Sequence, residues 1–410
     1  LADRSQLVAI GVTSTSGTIV PMGAEGLPLH AALMYSDQRS SAQAERCKAL
    51  TAKYDVAGYT AFNSSSGLPK MLWFKENYPE VSVDKFIHAS DFITGTLCGD
   101  FGVTDYTNAL KSGYDLHGDR WPEYLSEVGL SVDVLQKVVP SGQVIGHLLP
   151  VWAEKWGLST NVKVTAGMTD GCVSQVASGA VAPGTWNTTI GTTLVIKGVS
   201  KREIKDPSGA IYNHRHPEGY WMPGGASNTG ADWVSTYFSG RDLETLNAEA
   251  AKVVPTGKVG WPLLQKGERF PFFSPQARGF LPEEAVDGEL LAVGMEGVAY
   301  IEKMAYDSIE RLSGEKVEKV FSAGGGSNSD LWMKIRASVL NLPIQKMKHT
   351  SGAAGAAILA ASGTDYPNLS TAAAQMVQME KEIWPESAWV DAYARGYAQF
   401  IEELKRRAIW

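Results

Sequence analysis

The sequence predicts a two-domain α/β protein, and three observations carry that expectation. Its 410 residues exceed what one hydrophobic core ordinarily organises, so two domains with a cleft between them are expected. Strand-like apolar runs alternate with segments of helical period. The composition, 44% hydrophobic and 20% charged, is that of an ordinary globular chain and not of a disordered one.

Taken in order, "LVAIGV" and "GTIVPM" read as strands on either side of the polar loop "TSTSG". "SAQAERCKALTAKY" then places Ala44, Cys47, Leu50 and Tyr54 on one helical face. A second block opens near residue 178, where "TWNTTIGTTLVIKGV" reads as a hairpin about a tight "IGTT" turn. Leu291, Met295, Val298, Ala305, Ile309 and Leu312 fall on one face of a long helix. A strand-like "VEKVFSA", the turn "GGGSNSDLW" and a further helix follow. Tyr393, Tyr397, Phe400, Ile401 and Leu404 make the terminal helix amphipathic, which is core packing.

Several classes of function are excluded at this point. The net charge is −7 with Lys and Arg scattered, so no nucleic-acid partner is expected. The longest weakly polar stretch, "GAAGAAILAA", falls far short of the roughly 20 residues of a spanning helix, and no membrane partner is expected. Cys47, Cys98 and Cys172 are an odd set without metal-ligand spacing. They read as free thiols in a reducing compartment, which points to the cytoplasm. Neither a "GxxxxGK[ST]" phosphate loop nor the "HRD…DFG" pair of protein kinases occurs. A homodimer is the expectation from base rates alone.

Three glycine-bearing turns remain, "GMTDG" at 167–171, "IGTT" at 190–193 and "AGGGSNSDLW" at 323–332. Each follows a strand-like run. Glycine lets backbone amides approach phosphate oxygens, yet each turn taken alone is equally an ordinary turn. The third leads into a helix N-terminus, which favours anions. Asp170 within the first turn has two readings, an N-cap of the next helix or a functional carboxylate.

The ordered series "MYSDQR", "LPKMLWFKENYPE", "DFITGTLCGDFGVTDYTNA", "AGMTDG", "IGTT", "GGASNTG", "GERFPF", "AGGGSNSDLW" and "GAAGAAILAA" resembles the FGGY family of carbohydrate kinases over nearly the whole chain. "TSTSGT", "TDYTNALKSGYDL", "GGASNTG" and "GERFPF" resemble in particular the D-ribulokinase and xylulokinase-like members. The resemblance implies two actin-like (ribonuclease H-like) domains, with sugar deep in the cleft and ATP above it. These are a sugar-binding domain over 1–177 and a nucleotide-binding domain over 178–410, whose last helix packs back on the first domain. It implies ATP and Mg²⁺ as cofactors and phosphorylation of a ketopentose, D-ribulose or D-xylulose, at its terminal hydroxyl. Kinases for glycerol, a hexulose or gluconate, and a non-catalytic sugar- or nucleotide-binding relative, stay open as alternatives.

By the same resemblance Asp170 is the catalytic base and the carboxylate beside Mg²⁺. Thr15, Ser16, Asp37 and Asn108 match substrate-binding positions. Gly191, Thr192 and Thr193 match the turn facing the nucleotide phosphates, and Gly324, Gly325, Ser329 and Trp332 match positions around the adenosine. Trp332 reads equally well as core, and Asp37 with Arg39 as a structural ion pair. Asp105 and Asn108 read as ordering the sugar wall or as hydrogen bonding within a loop. One departure is that Tyr35 stands where the family carries Trp. The other is that its glycine-rich N-terminal "DxGTxxxR" hairpin is not among these residues, so an incomplete first domain is expected.

Overall fold

The computed structural model of the chain describes residues 3–54 and 62–410, with side chains throughout except at 50–53. It divides into two compact units. The first comprises Leu1–Ala177, His214–Trp221 and His349–Met376, and the second comprises Ser178–Asn213, Met222–Lys348 and Val377–Trp410.

In the first unit, Ala9–Ile10 runs parallel to Lys163–Thr165 and Thr13–Ser14 parallel to Met168–Thr169. The expected single strand "LVAIGV" is therefore broken at Gly11–Val12, opposite Ala166–Gly167. The reason is backbone crowding. A side chain at Gly11 would meet the carbonyl of Ala356, and one at Gly167 would meet the carbonyl of Val12. "GTIVPM" is confirmed as the strand Ile19–Met22, antiparallel to Lys85–His88. "SAQAERCKALTAKY" forms one helix, Ser41–Tyr54, with Ala44 and Cys47 buried. Leu50 lies outside the described side chains.

The segment "GAAGAAILAA" forms the helix Gly352–Ser362, which packs on the Ala9–Ile10 and Thr13–Ser14 strands. Its small residues explain the fit. A Cβ on Gly355 would strike the carbonyl of Val173, and one on Gly363 the carbonyl of Gly142. Backbone packs against backbone there, which only glycine allows.

In the second unit, Thr185–Ile190 and Leu194–Gly198 form the expected hairpin with Ile190 opposite Leu194. Thr185–Ile190 also runs parallel to Lys319–Ala323, followed across the sheet by Ile344–Met347 and Met379–Ile383. The long helix Asp287–Ser313 packs against helices Leu243–Ala250, Asp330–Leu340 and Ser387–Arg406. Trp233, Trp261, Met295, Ile335 and Phe400 are buried in their common core. The terminal helix therefore belongs to the second unit. Its Tyr393, Phe400 and Leu404 are buried among second-unit residues. The segment His349–Met376 belongs to the first unit instead. Among the described residues no helix is long and apolar enough to cross a membrane.

Candidate functional site

The first group of candidate residues is built on the short parallel pair Thr13–Ser14 and Met168–Thr169, with Ser14 in register with Thr169. The next residue on each strand is Thr15 and Asp170, so the polar loop and the carboxylate leave the same end of one strand pair. Ligands of α/β folds gather beyond such carboxyl ends. The Thr13 hydroxyl donates to the Met168 carbonyl at 2.8 Å, tying the two strands by a side chain as well.

Asp170 is the first residue of the helix Asp170–Ser178 and is exposed. Its Oδ1 accepts the Gly171 N–H at 2.8 Å, and Oδ2 has no partner among the described residues. An N-cap would accept from two or three residues further on. The capping reading is thus replaced by a carboxylate held at one oxygen and open at the other.

Thr15 and Ser16 are half-buried. Thr15 Oγ1 lies 3.4 Å from Thr18 Oγ1, and the Ser16 hydroxyl has no protein partner among the described residues. The following Gly17 has φ of 77°, and a side chain there would strike the Ser65 carbonyl. The loop is therefore turned sharply against the segment preceding helix Gly67–Asn77.

That segment is anchored by a residue the sequence did not single out. Lys70 is fully buried, and its Nζ donates to the Ser64 and Ser66 carbonyls at 2.7 and 3.2 Å. Burial pulls its pKa down to about 8, while nearby Asp37 pushes it up. A polar residue inside the apolar run "GLPKMLWF" was the available signal.

Asp37 is bound by Arg39 through both carboxylate oxygens, with Arg39 Nη2 at 2.6 Å. That hydrogen-bonded guanidinium holds the Asp37 carboxyl below its usual range. Arg39 also lies 4.4 Å over the Trp73 ring. Asn108 is fully buried. Its Nδ2 donates to Ser90 Oγ at 3.1 Å and Asp105 Oδ1 at 2.6 Å, which commits the amide to the interior behind the loop. Ser90 in turn donates its N–H to Ser14 Oγ at 3.1 Å.

A second group of candidate residues lies in the second unit. Gly191, Thr192 and Thr193 form the hairpin turn, and the Thr192 and Thr193 hydroxyls have no protein partner among the described residues. Gly324 follows the parallel neighbour strand, whose Ala323 is in register with Thr189. With φ of 83° and ψ of 177° it occupies a conformation open to glycine alone, and a side chain would strike the Ile190 carbonyl. The two turns thus leave the same end of adjacent parallel strands. The second strand is pinned by Arg336, which is fully buried, pairs with Glu302 at 2.7 Å and donates to Ser322 Oγ at 2.7 Å.

Beside these turns is a cavity of about 1100 Å³, lined among others by Phe238, Asn247, Met295, Gly325, Ser329 and Trp332. Ser329 caps the helix Asp330–Leu340 by accepting the Trp332 N–H and donates its hydroxyl to Asn247 Oδ1 at 2.6 Å. Trp332 is buried, and its indole N–H donates to the Met295 carbonyl at 3.1 Å. It is a core residue that also borders the cavity. Phe238 and Asn247 were not legible as lining residues, since neither lies in a glycine turn.

Each unit thus presents glycine turns or an open carboxylate at the carboxyl ends of parallel strands, where ligands of α/β folds gather. Residues 2–177 match the N-terminal domain of the FGGY family of carbohydrate kinases, and residues 180–364 match its C-terminal domain. The chain belongs to that family and is a sugar kinase, whose members use ATP as phosphate donor.

Xylulose kinase of Bacillus subtilis is 29% identical over 391 residues, covering 89% of this chain and 76% of the relative. Gluconokinase of Bacillus licheniformis is 25% identical over 418 residues, covering 96% and 81%. Among solved structures, a kinase from Brucella ovis described as a xyloylose kinase superposes with a TM-score of 0.85 at 24% identity, covering 98% of this chain and 85% of that one. Glycerol kinase of Plasmodium falciparum with ADP gives 0.80 at 17%, covering 97% and 83%. At these identities the superpositions establish the fold.

Proposed function

We propose that this chain phosphorylates a ketopentose, D-ribulose or D-xylulose, at its terminal hydroxyl, with Asp170 as the base. The observation that carries the reading is the register of Ser14 with Thr169, which brings Thr15, Ser16 and the open oxygen of Asp170 to one strand end. The Ser16 hydroxyl, which has no protein partner among the described residues, suits a polyol. The names of several curated relatives, xylulose kinases among them, support the pentulose. Those of gluconokinase and glycerol kinase keep other polyols within the test.

In this reading the sugar hydroxyl oxygen bonds to the γ-phosphorus as the bond from that phosphorus to the β,γ-bridging oxygen breaks. ADP leaves, and the hydroxyl proton passes to Asp170. The transition state is loose, so orientation counts for more than basicity, and a carboxylate suffices. The unpaired Thr192 and Thr193 hydroxyls and the Gly191 backbone suit the phosphates. The cavity beside Ser329 and Trp332 suits the adenosine.

Mg²⁺ is commonly held by one or two carboxylates, substrate phosphates and water. Asp170 with its open Oδ2 fits as such a carboxylate, and no cluster of three or more ligating side chains occurs among the described residues. When bound with the nucleotide the ion neutralises phosphate charge. We place the reaction in the cytoplasm, where the three free thiols stay reduced.

The test is ADP release from MgATP across D-ribulose, D-xylulose, L-ribulose, glycerol and gluconate, with Asp170→Ala alongside. Strong stimulation by one ketopentose, reduced about 10²- to 10⁴-fold in the variant, is expected. Stimulation by another polyol alone overturns the substrate, and near-normal turnover in Asp170→Ala overturns the base.

A further inference from the structure

The strand that delivers Asp170 ends at Thr169, whose backbone N–H is not paired with another strand. It donates instead to the side chain of Thr107, with N to Oγ1 at 2.9 Å. A threonine hydroxyl has one proton and two lone pairs, and here the proton is spent. Thr107 Oγ1 donates to Asp105 Oδ2 at 2.7 Å. The orientation of the hydroxyl is therefore dictated by the carboxylate behind it.

That carboxylate is itself held rigidly. Asp105 is completely buried. Its Oδ2 also accepts the Thr107 N–H at 2.8 Å and the Ser141 hydroxyl at 2.6 Å. Its Oδ1 accepts the Asn108 N–H and Nδ2–H at 3.2 and 2.6 Å. Five donors on one buried carboxylate leave it no second orientation, and burial is what raises its pKa. Asp105 accordingly does more than cap the short helix Tyr106–Leu110, because one of its donors is shared onward to the strand before Asp170.

We propose that Thr107, oriented by Asp105, is a positioning residue for the base, setting where the Asp170 carboxylate stands by fixing the N–H one residue before it. This rests on the reading of Asp170 given above. Neither Thr107 nor Asp105 touches substrate in this scheme. Because both Thr107 and Thr169 are buried, the hydrogen bond is shielded from water, and losing it frees the end of a two-residue strand.

The experiment compares Thr107→Val, which keeps the shape and removes the hydroxyl, with Thr107→Ser, which keeps the hydroxyl. Both are also built in an Asp170→Asn background, and folding is followed by circular dichroism and thermal unfolding. Thr107→Val is expected to lower kcat about tenfold to a hundredfold, the scale of a small misplacement of a reacting group, with KM for sugar and ATP within about twofold. Thr107→Ser is expected to restore kcat to within about threefold of the parent. In the Asp170→Asn background Thr107→Val is expected to change residual turnover less than about twofold, since two residues acting through one group are not additive. Unchanged kcat in Thr107→Val overturns the proposal. So does a folded Thr107→Ser as slow as the valine variant, or an equal loss with and without Asp170. Parent-like turnover in Asp170→Asn alone is a separate result that removes the base assignment, and the positioning role with it.

Discussion

Gly191 and Gly324 lie at the same end of adjacent strands, yet the structure gives them different reasons to be glycine. A Cβ on Gly191 meets nothing within 4 Å, and its φ is not in the left-handed region. Room inside the fold does not explain it, whereas under the proposed function room for phosphate does. Gly191→Ala is expected to leave the unfolding midpoint unchanged or slightly raised, by the chain-entropy effect of such replacements. It should weaken MgATP binding about tenfold in calorimetry, through lost backbone approach. Gly324→Ala, in contrast, forces a side chain onto the Ile190 carbonyl from a conformation that costs about 1–3 kcal/mol. It should lower the denaturation midpoint even without nucleotide. Equal stability of the two variants would contradict this division.

At the level of elements, the joint between the long helix Asp287–Ser313 and the terminal helix depends on one buried acid. Glu296 accepts the Thr256 N–H at 2.9 Å, the Thr256 hydroxyl, and the Tyr393 hydroxyl at 3.1 Å. Burial raises its pKa from 4.5 to about 7 against these donors. The folded protein therefore holds a proton that the unfolded chain has released above its own carboxylate pKa. The stability linked to that proton is full below about pH 4.5 and is lost as pH rises through about 7. The loss amounts to about 3 kcal/mol at most. Tyr393 and the neighbouring Tyr300 are both shifted upward by burial and stay neutral across this window. Glu296→Gln should flatten the decline in urea midpoint between pH 5 and pH 8 and be the more stable form at pH 8. A variant weaker by the same amount at every pH would show that the proton plays no part.

For the whole molecule, the division into units does not follow the chain. The first unit is completed by His349–Met376, whose helix Gly352–Ser362 lies against the Ala9–Ile10 and Thr13–Ser14 strands. Leu369 further donates its N–H to Glu218 within the same unit. A fragment of residues 1–177 lacks both segments and exposes the backbone surfaces at Gly11 and Val173 that the helix covers. It is expected to show no cooperative thermal transition, whereas the full chain should. Cooperative unfolding of the fragment would mean that the returning helix contributes little to the first core.

Much of this molecule could be read from local pattern. The hairpin Thr185–Gly198, the helices Ser41–Tyr54 and Asp287–Ser313, and the three glycine turns each follow from a periodicity or a turn residue within a short window. Asp170 stood out for the same reason, as a carboxylate between glycines after an apolar run. Thr107 did not, because it looks like an ordinary helix residue until its partner is known, and Lys70 was marked only as a polar residue inside an apolar run. The N–H of Thr169 lies 62 positions from the Thr107 hydroxyl that receives it, and Ser14 and Thr169, which pair in register, are further apart still in sequence. The sequence by itself determined the α/β class, several of its strands and helices, and the family, since those depend on period, residue type and motif order. The tertiary structure alone decided which strand ends coincide, which unit owns the returning helix and which hydroxyl receives the N–H of Thr169, since long-range pairing is set by packing between segments that carry no mark of their partner.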